Sequence, residues 1–311
     1  MRVMVSLSLF ALLLVGCGRN PTPPIDPSVT LPQARKGVVT KLARQEQAGT
    51  AAPNPPPGVF HLVRYKAPLG ENVAYLSPDP GDGKKRPAIV WITGGDCNTI
   101  DQGCWQEGNP DNDQSASAYR KAGLVMMFPS LRGGNTNPGF KEGFYGEVDD
   151  ILAAAEFLAK QPHVDPQRIY LGGHSTGGTL ALLVAECSNR FRAVFSFGPA
   201  DDVAGYGGDF VYASLADLNE TRLRSPGYWL HGIQSPTFVI EGRVDGNTEA
   251  IEIMKRRNIN AKVTFATIDR ANHFSVLAPI NAFIASKIVQ DTGATCNLAL
   301  SEAELNVAFG R

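Results

Sequence analysis

The sequence lacks a surplus of either charge, a long apolar run and a rich supply of cysteine. Its 29 Lys and Arg offset 30 Asp and Glu among 311 residues, so the positive field of a nucleic-acid-binding protein is missing. No stretch reaches the roughly 18 consecutive apolar residues that cross a bilayer as a helix. The 32 Gly and 22 Pro recur without a period, which excludes collagen-like and repeat architectures. The five cysteines have no histidine at zinc-ligand spacing, and neither metal nor cofactor is expected. What is present is 43% hydrophobic and 19% charged residues, the composition of a globular body.

The start of the chain is of another kind. Residues 1–20 read MRVMVSLSLFALLLVGCGRN, with Arg2 ahead of an apolar run from Val3 to Val15 broken only by Ser6 and Ser8. As a helix that run spans about 20 Å, short of the ~30 Å hydrocarbon core, so it reads as an export signal. Leu14-Val15-Gly16-Cys17 resembles the bacterial lipobox. That resemblance implies removal of residues 1–16, lipidation of Cys17 and anchoring of the body at the cell envelope. Gly18, standing where an Asp signals inner-membrane retention, points to the outer membrane of a Gram-negative cell. Residues 17–58 carry nine prolines from Gly18 onward and few aromatics, which predicts a semi-rigid tether with a weak helix over Arg35 to Gln47. About 250 residues, 59–311, remain for one domain.

Export permits disulfides, and Cys97, Cys104, Cys187 and Cys296 allow three pairings. Cys97 with Cys104 is the first expectation, since they share the loop CNTIDQGC and closing eight residues is worth about 2.5 kcal/mol. Cys187 with Cys296 is the second, and buried free thiols are the alternative.

Short apolar runs then alternate with helical spacing. Val59 to Tyr65 and Asn72 to Leu76 read as strands joined at Pro68-Leu69-Gly70, while Ala88–Ile92 and Leu124–Phe128 read as strands buried on both faces. Glu147 to Lys160 has apolar residues at helical spacing. Arg168–Leu171, Ala193–Phe197, Thr237–Ile240 and Lys262–Ala266 are further strands, and Ala278 to Val289 a last helix. This order predicts an α/β fold with a mostly parallel sheet between helices and with its site at the carboxyl ends of strands. The 39 residues Gly198 to Pro236 predict a small cap.

Between the strand ending at Leu171 and the helical run Thr179 to Cys187 lies Gly173-His174-Ser175-Thr176-Gly177. This is the G-x-S-x-G pattern, in which a sharp strand-to-helix turn lifts a serine hydroxyl above the sheet. Its setting makes Ser175 a candidate nucleophile. Of the five histidines, His61, His163, His174 and His231 are poorly placed, whereas His273 follows the last strand in a loop able to return as base. The orienting acid belongs after the strand Thr237–Ile240. Asp245 lies past a glycine turn there, while Glu241 is a rival too close to the strand; Asp201 and Asp202 read as helix-capping or pocket-lining residues. Oxyanion donors are expected from the backbone N–H of Thr176 and from the Thr93-Gly94-Gly95-Asp96 loop, at Gly95 or alternatively Asp96.

Residues from about 85 to 290 are similar to the catalytic domain of the prolyl oligopeptidase family, within the α/β-hydrolase superfamily. The likeness lies in GFYGEVDDILAAAEFLAKQPHVDPQRIYLGGHSTGG, RSPGYWLHGIQSPTFVIEGRVDG and the late NHF. It implies Ser175 as nucleophile, Asp245 as acid, His273 as base and oxyanion donation from TGGD. TGGD replaces the family's usual HGG, and residues 18–58 are too few for the β-propeller of the family's peptidases. The expectation is a serine hydrolase that cleaves a carboxylic ester through an acyl-enzyme. The alternatives are a peptidase acting on short peptides, an acyltransferase, or a non-catalytic surface-binding lipoprotein.

Overall fold

A computed structural model describes residues 26–310 of the chain. Cys17 and the export segment lie outside the described residues. The frame is one eight-stranded sheet in the order β1-β2-β4-β3-β5-β6-β7-β8. Its strands are β1 (His61–Ala67), β2 (Gly70–Leu76), β3 (Arg86–Ile92), β4 (Val125–Pro129), β5 (Val164–His174), β6 (Val194–Phe197), β7 (Thr237–Val244) and β8 (Val263–Asn272). β1 pairs antiparallel with β2, and β2 antiparallel with β4; every later pairing is parallel. This is the α/β-hydrolase architecture.

Alternation along β3 shows how the chain fills both faces. Ala88, Val90 and Ile92 face one core, with Val148, Ile151 and Leu158 of α3 (Glu147–Ala159) and Leu180 and Leu183 of α4 (Thr176–Cys187). Ile89 and Trp91 face the other, with Ile280 and Ile284 of α7 (Leu277–Gln290) and Leu305 of α8 (Glu302–Phe309). A strand buried on both faces has no polar alternation, hence the continuous apolar runs of the sequence. α4 approaches the sheet closely because Gly177 has no side chain: a Cβ there would lie 2.3 Å from the Ile92 carbonyl oxygen.

The two faces also overturn the expected disulfides, since all four cysteines are free thiols. Cys97 belongs to the first core and Cys104 to the second; Cys187 packs on the first and Cys296 on the second. The sheet therefore separates both expected pairs, and burial pushes the Cys104 thiol up to about 12.

The tether expectation is corrected too, over residues 26–58. Instead of a helix over Arg35 to Gln47 there is α1 (Leu31–Arg35), started by Thr30 and Gln33 bonding each other's backbone in a capping box. Leu31 is fully buried, and Arg35 donates to the Tyr145 carbonyl at 2.6 Å. Further on, Leu42 bridges Ala213 of the cap, the Ala48 N–H donates to the Gly133 carbonyl at 2.8 Å, and Arg44 donates to the Gly208 carbonyl. The proline-rich segment is a strap bound to the domain. No proline stands between Pro32 and Pro53; the helix stops instead at Gly37, which takes φ 75°, and the β-branched run Val38-Val39-Thr40 does not restart it.

Candidate active site

Ser175 occupies the turn between β5 and α4 with φ 56° and ψ −117°, a strained conformation for a residue with a side chain. Its N–H donates to the Phe197 carbonyl at 2.7 Å, which fixes the turn against the end of β6. α4 starts immediately afterwards, so the positive end of its dipole lies beside the hydroxyl.

His273 follows β8 directly, and its Nδ1 lies 2.9 Å from Oε2 of Glu241, not from Asp245. The carboxylate of Glu241 is fully buried and receives two further donors, the Gly242 N–H at 2.6 Å on Oε1 and the Asn247 N–H at 2.9 Å on Oε2. Three donors hold one carboxylate in place. Because a carboxylate only accepts, His273 donates from Nδ1, and in the neutral ring Nε2 is then the nitrogen with the lone pair that a general base needs.

Asp245 is exposed in a left-handed turn with φ 52°. The reversal follows from strand lengths. β6 ends at Phe197, which pairs with Ile240, so Glu241 is the first residue of β7 beyond its shorter neighbour. Gly198, at φ 57°, leaves the opening: a Cβ there would lie 2.5 Å from His273 Cε1 and 2.8 Å from Glu241 Oε2. Glu241 needs no long reach, because the sheet edge opens at its position.

The Thr93–Asp96 loop stands against the same turn. Thr176 Oγ1 donates to the Gly95 carbonyl at 2.8 Å, and Gly95 has φ 72°. Asp96 turns its carboxylate to Lys141 Nζ at 2.9 Å, and Lys141 also meets Glu46 of the strap at 3.0 Å. Burial opposes the Lys141 charge, yet the two carboxylates raise its pKa above the ordinary lysine value. The oxyanion-loop candidate is thereby tied to the strap.

Sequence reasoning also passed over Tyr206 in the cap. Its hydroxyl lies 2.7 Å from Thr179 Oγ1, with the Ser175 hydroxyl among its polar neighbours, and its ring stacks on Phe144 at 5.4 Å. Nothing in a cap of irregular turns marks one tyrosine over another. Asp202 caps the turn Val203–Asp209 through the Ala204 N–H at 2.9 Å, and Asp201 faces Arg257 at 3.7 Å. Of the remaining histidines, His61 opens β1, His163 is buried beside Asp79, and His231 donates to the Val29 carbonyl at 2.9 Å. Among the described residues no cluster has the makings of a metal site.

Known proteins share parts of this sequence and its fold. The sequence profile of the prolyl oligopeptidase family matches residues 110–276. The uncharacterized peptidase YtmA of Bacillus subtilis is 27% identical over 147 residues, 42% of this chain and 55% of its own. The chain thus spans about half the length of that curated relative. Among solved structures, a Mycobacterium tuberculosis puromycin-hydrolyzing peptidase superposes with a TM-score of 0.60 at 19% identity, over 74% of this chain and 39% of its own. An esterase of Pyrococcus furiosus superposes with a TM-score of 0.58 at 16% identity, over 79% of this chain and 97% of its own. With more than half of its residues matched by the profile, the chain belongs to the prolyl oligopeptidase family.

Proposed function

We propose that this chain is a serine hydrolase that cleaves a carboxylic ester through an acyl-enzyme. The observation that carries the reading is the buried Glu241–His273 pair, 2.9 Å apart, at the sheet edge where the strained Ser175 turn ends. Ser175 Oγ attacks the acyl carbon, and His273 Nε2 takes its proton and returns it to the leaving alcohol. Glu241 holds the ring by Nδ1 and stabilises the imidazolium as it forms. The N–H groups of Thr176 and of Gly95 or Asp96 receive the developing oxyanion, where a single donor is worth about 3–4 kcal/mol. Water then resolves the acyl-enzyme by the same steps.

The ester preference draws support from the esterase whose chain matches almost throughout. A short peptide is the second reading, favoured by the family profile and by the peptidase named among the relatives. Cys17 as a lipid anchor at the cell envelope completes the proposal and brings the membrane in as partner.

The test is labelling with a fluorophosphonate probe, which needs no guess about substrate. Folded wild type is expected to take the probe and Ser175→Ala to take none. Folded wild type that stays unlabelled contradicts the hydrolase and favours a surface-binding role. Panels of acyl esters and peptide anilides then separate the two substrate classes.

A further inference from the structure

His174, the residue before the candidate nucleophile, is buried and bonded at both ring nitrogens. Its Nε2 lies 2.9 Å from the carbonyl oxygen of His273, and its Nδ1 lies 3.0 Å from Gln114 Nε2. Gln114 Oε1 faces the Gly94 N–H at 3.3 Å, and its Nε2 faces Asn112 Oδ1 at 2.7 Å.

These partners admit one proton arrangement. The His273 carbonyl only accepts, so His174 carries its hydrogen on Nε2. Burial, reinforced by the neighbouring His273, drives the His174 pKa down to about 3, and the ring stays neutral. Nδ1 is therefore a lone pair in need of a donor. Gln114 supplies it with one amide hydrogen, gives the other to Asn112 and accepts from Gly94 on its oxygen. Both ring nitrogens of His174 and both amide hydrogens of Gln114 then have a partner of the right kind, with Gln114 Oε1 farther from Nδ1, at 3.3 Å, than Nε2 is, and the reverse amide orientation would set an NH₂ group against the Gly94 N–H.

The three loops joined this way are those that the proposed hydrolysis requires. Gly94 belongs to the oxyanion-loop candidate, His174 to the nucleophile turn, and the bonded carbonyl to the base itself. We propose that His174 and Gln114 are positioning residues, a neutral hydrogen-bond relay that holds the oxyanion loop and the His273 loop in register on either side of Ser175. Neither residue touches the acyl group. They act by fixing where two other groups stand, and a displacement near 1 Å at such a place costs on the order of a hundredfold in rate. The inference rests on the hydrolase reading.

The test is steady-state turnover of an activated ester by full-length protein, beside fluorophosphonate labelling and thermal melting. Gln114→Leu and His174→Leu are expected to lower kcat by about 10–100-fold while KM moves less than about threefold, the pattern of lost transition-state alignment. His174→Gln keeps a donor near the Nε2 position and is expected to recover most of the loss. Because the two residues form one relay, the double Leu variant should lose no more than the worse single variant. Nitrogen-15 NMR of wild type should find the His174 proton on Nε2. Should His174→Leu fail to fold, Gln114→Leu and the NMR assignment still decide. A labelled wild type whose folded Leu variants keep kcat within about twofold, or an Nδ1 proton on His174, overturns the relay alone. A folded wild type that takes no probe overturns the hydrolase reading and the relay with it.

Discussion

A missing methyl group leaves the room in which His273 meets Glu241. With Gly198 at φ 57°, the ring of His273 and the carboxylate of Glu241 fill the space a side chain would take. Gly198→Ala should therefore displace the pair and lower ester turnover by about a hundredfold, against a modest loss of stability. Wild-type kcat in that variant would show that the contact is not needed. The same residues mark the limit of what could be read from sequence. The placing of Ser175 on a strand-to-helix turn is legible because G-x-S-x-G is a local pattern with a local cause, and that of His273 because no other histidine follows the last strand. The choice between Glu241 and Asp245 was not legible, since it depends on where β6 ends relative to β7. That register belongs to the pairing of two strands and to neither segment alone.

At the scale of elements, the apolar runs gave the sheet correctly, with strand ends extended where polar residues continue a ladder. β8 runs on to Asn272 and β7 to Val244, beyond the ends that apolar content suggests, because backbone pairing there does not need buried side chains on both faces. The strap was illegible for the opposite reason. Its proline content resembles that of a free linker, and only the body's acceptors and the pocket for Leu31 reveal that it binds. Leu31 is fully buried against α4 and the cap, so Leu31→Ala should cost about 2–5 kcal/mol in denaturant unfolding while kcat stays near wild type. A loss below about 0.5 kcal/mol would mean that the strap is not part of the folding unit. α8 seals the second core with Leu305, Ala308 and Phe309, but its eight residues are too few for helical spacing to stand out in the sequence.

At the scale of the whole molecule, a buried ion pair closes the sheet's far end. Asp291, just past α7, accepts from Arg192 at 2.7 and 2.6 Å and from the Tyr170 hydroxyl at 2.6 Å. Burial opposes its charge, yet these donors hold its pKa down to about 2. A carboxyl lowered on folding adds stability that is complete above its unfolded value, near 4, and is lost as pH falls through about 2. The stability gap between wild type and Asp291→Asn should be widest at neutral pH and should narrow from about pH 4 downward. A gap that does not change with pH would contradict the assignment. The opposite end of the sheet gathers Ser175 just after β5, Glu241 from β7 and His273 just after β8, and on the proposed mechanism these three act as one unit. The most direct measurement is the rate of fluorophosphonate labelling for wild type, Glu241→Gln and Asp245→Asn side by side. Glu241→Gln is expected to slow labelling by about a thousandfold or more, as loss of the orienting acid does in a triad, and Asp245→Asn to label at the wild-type rate. Slow labelling of Asp245→Asn with Glu241→Gln unimpaired would contradict that mechanism.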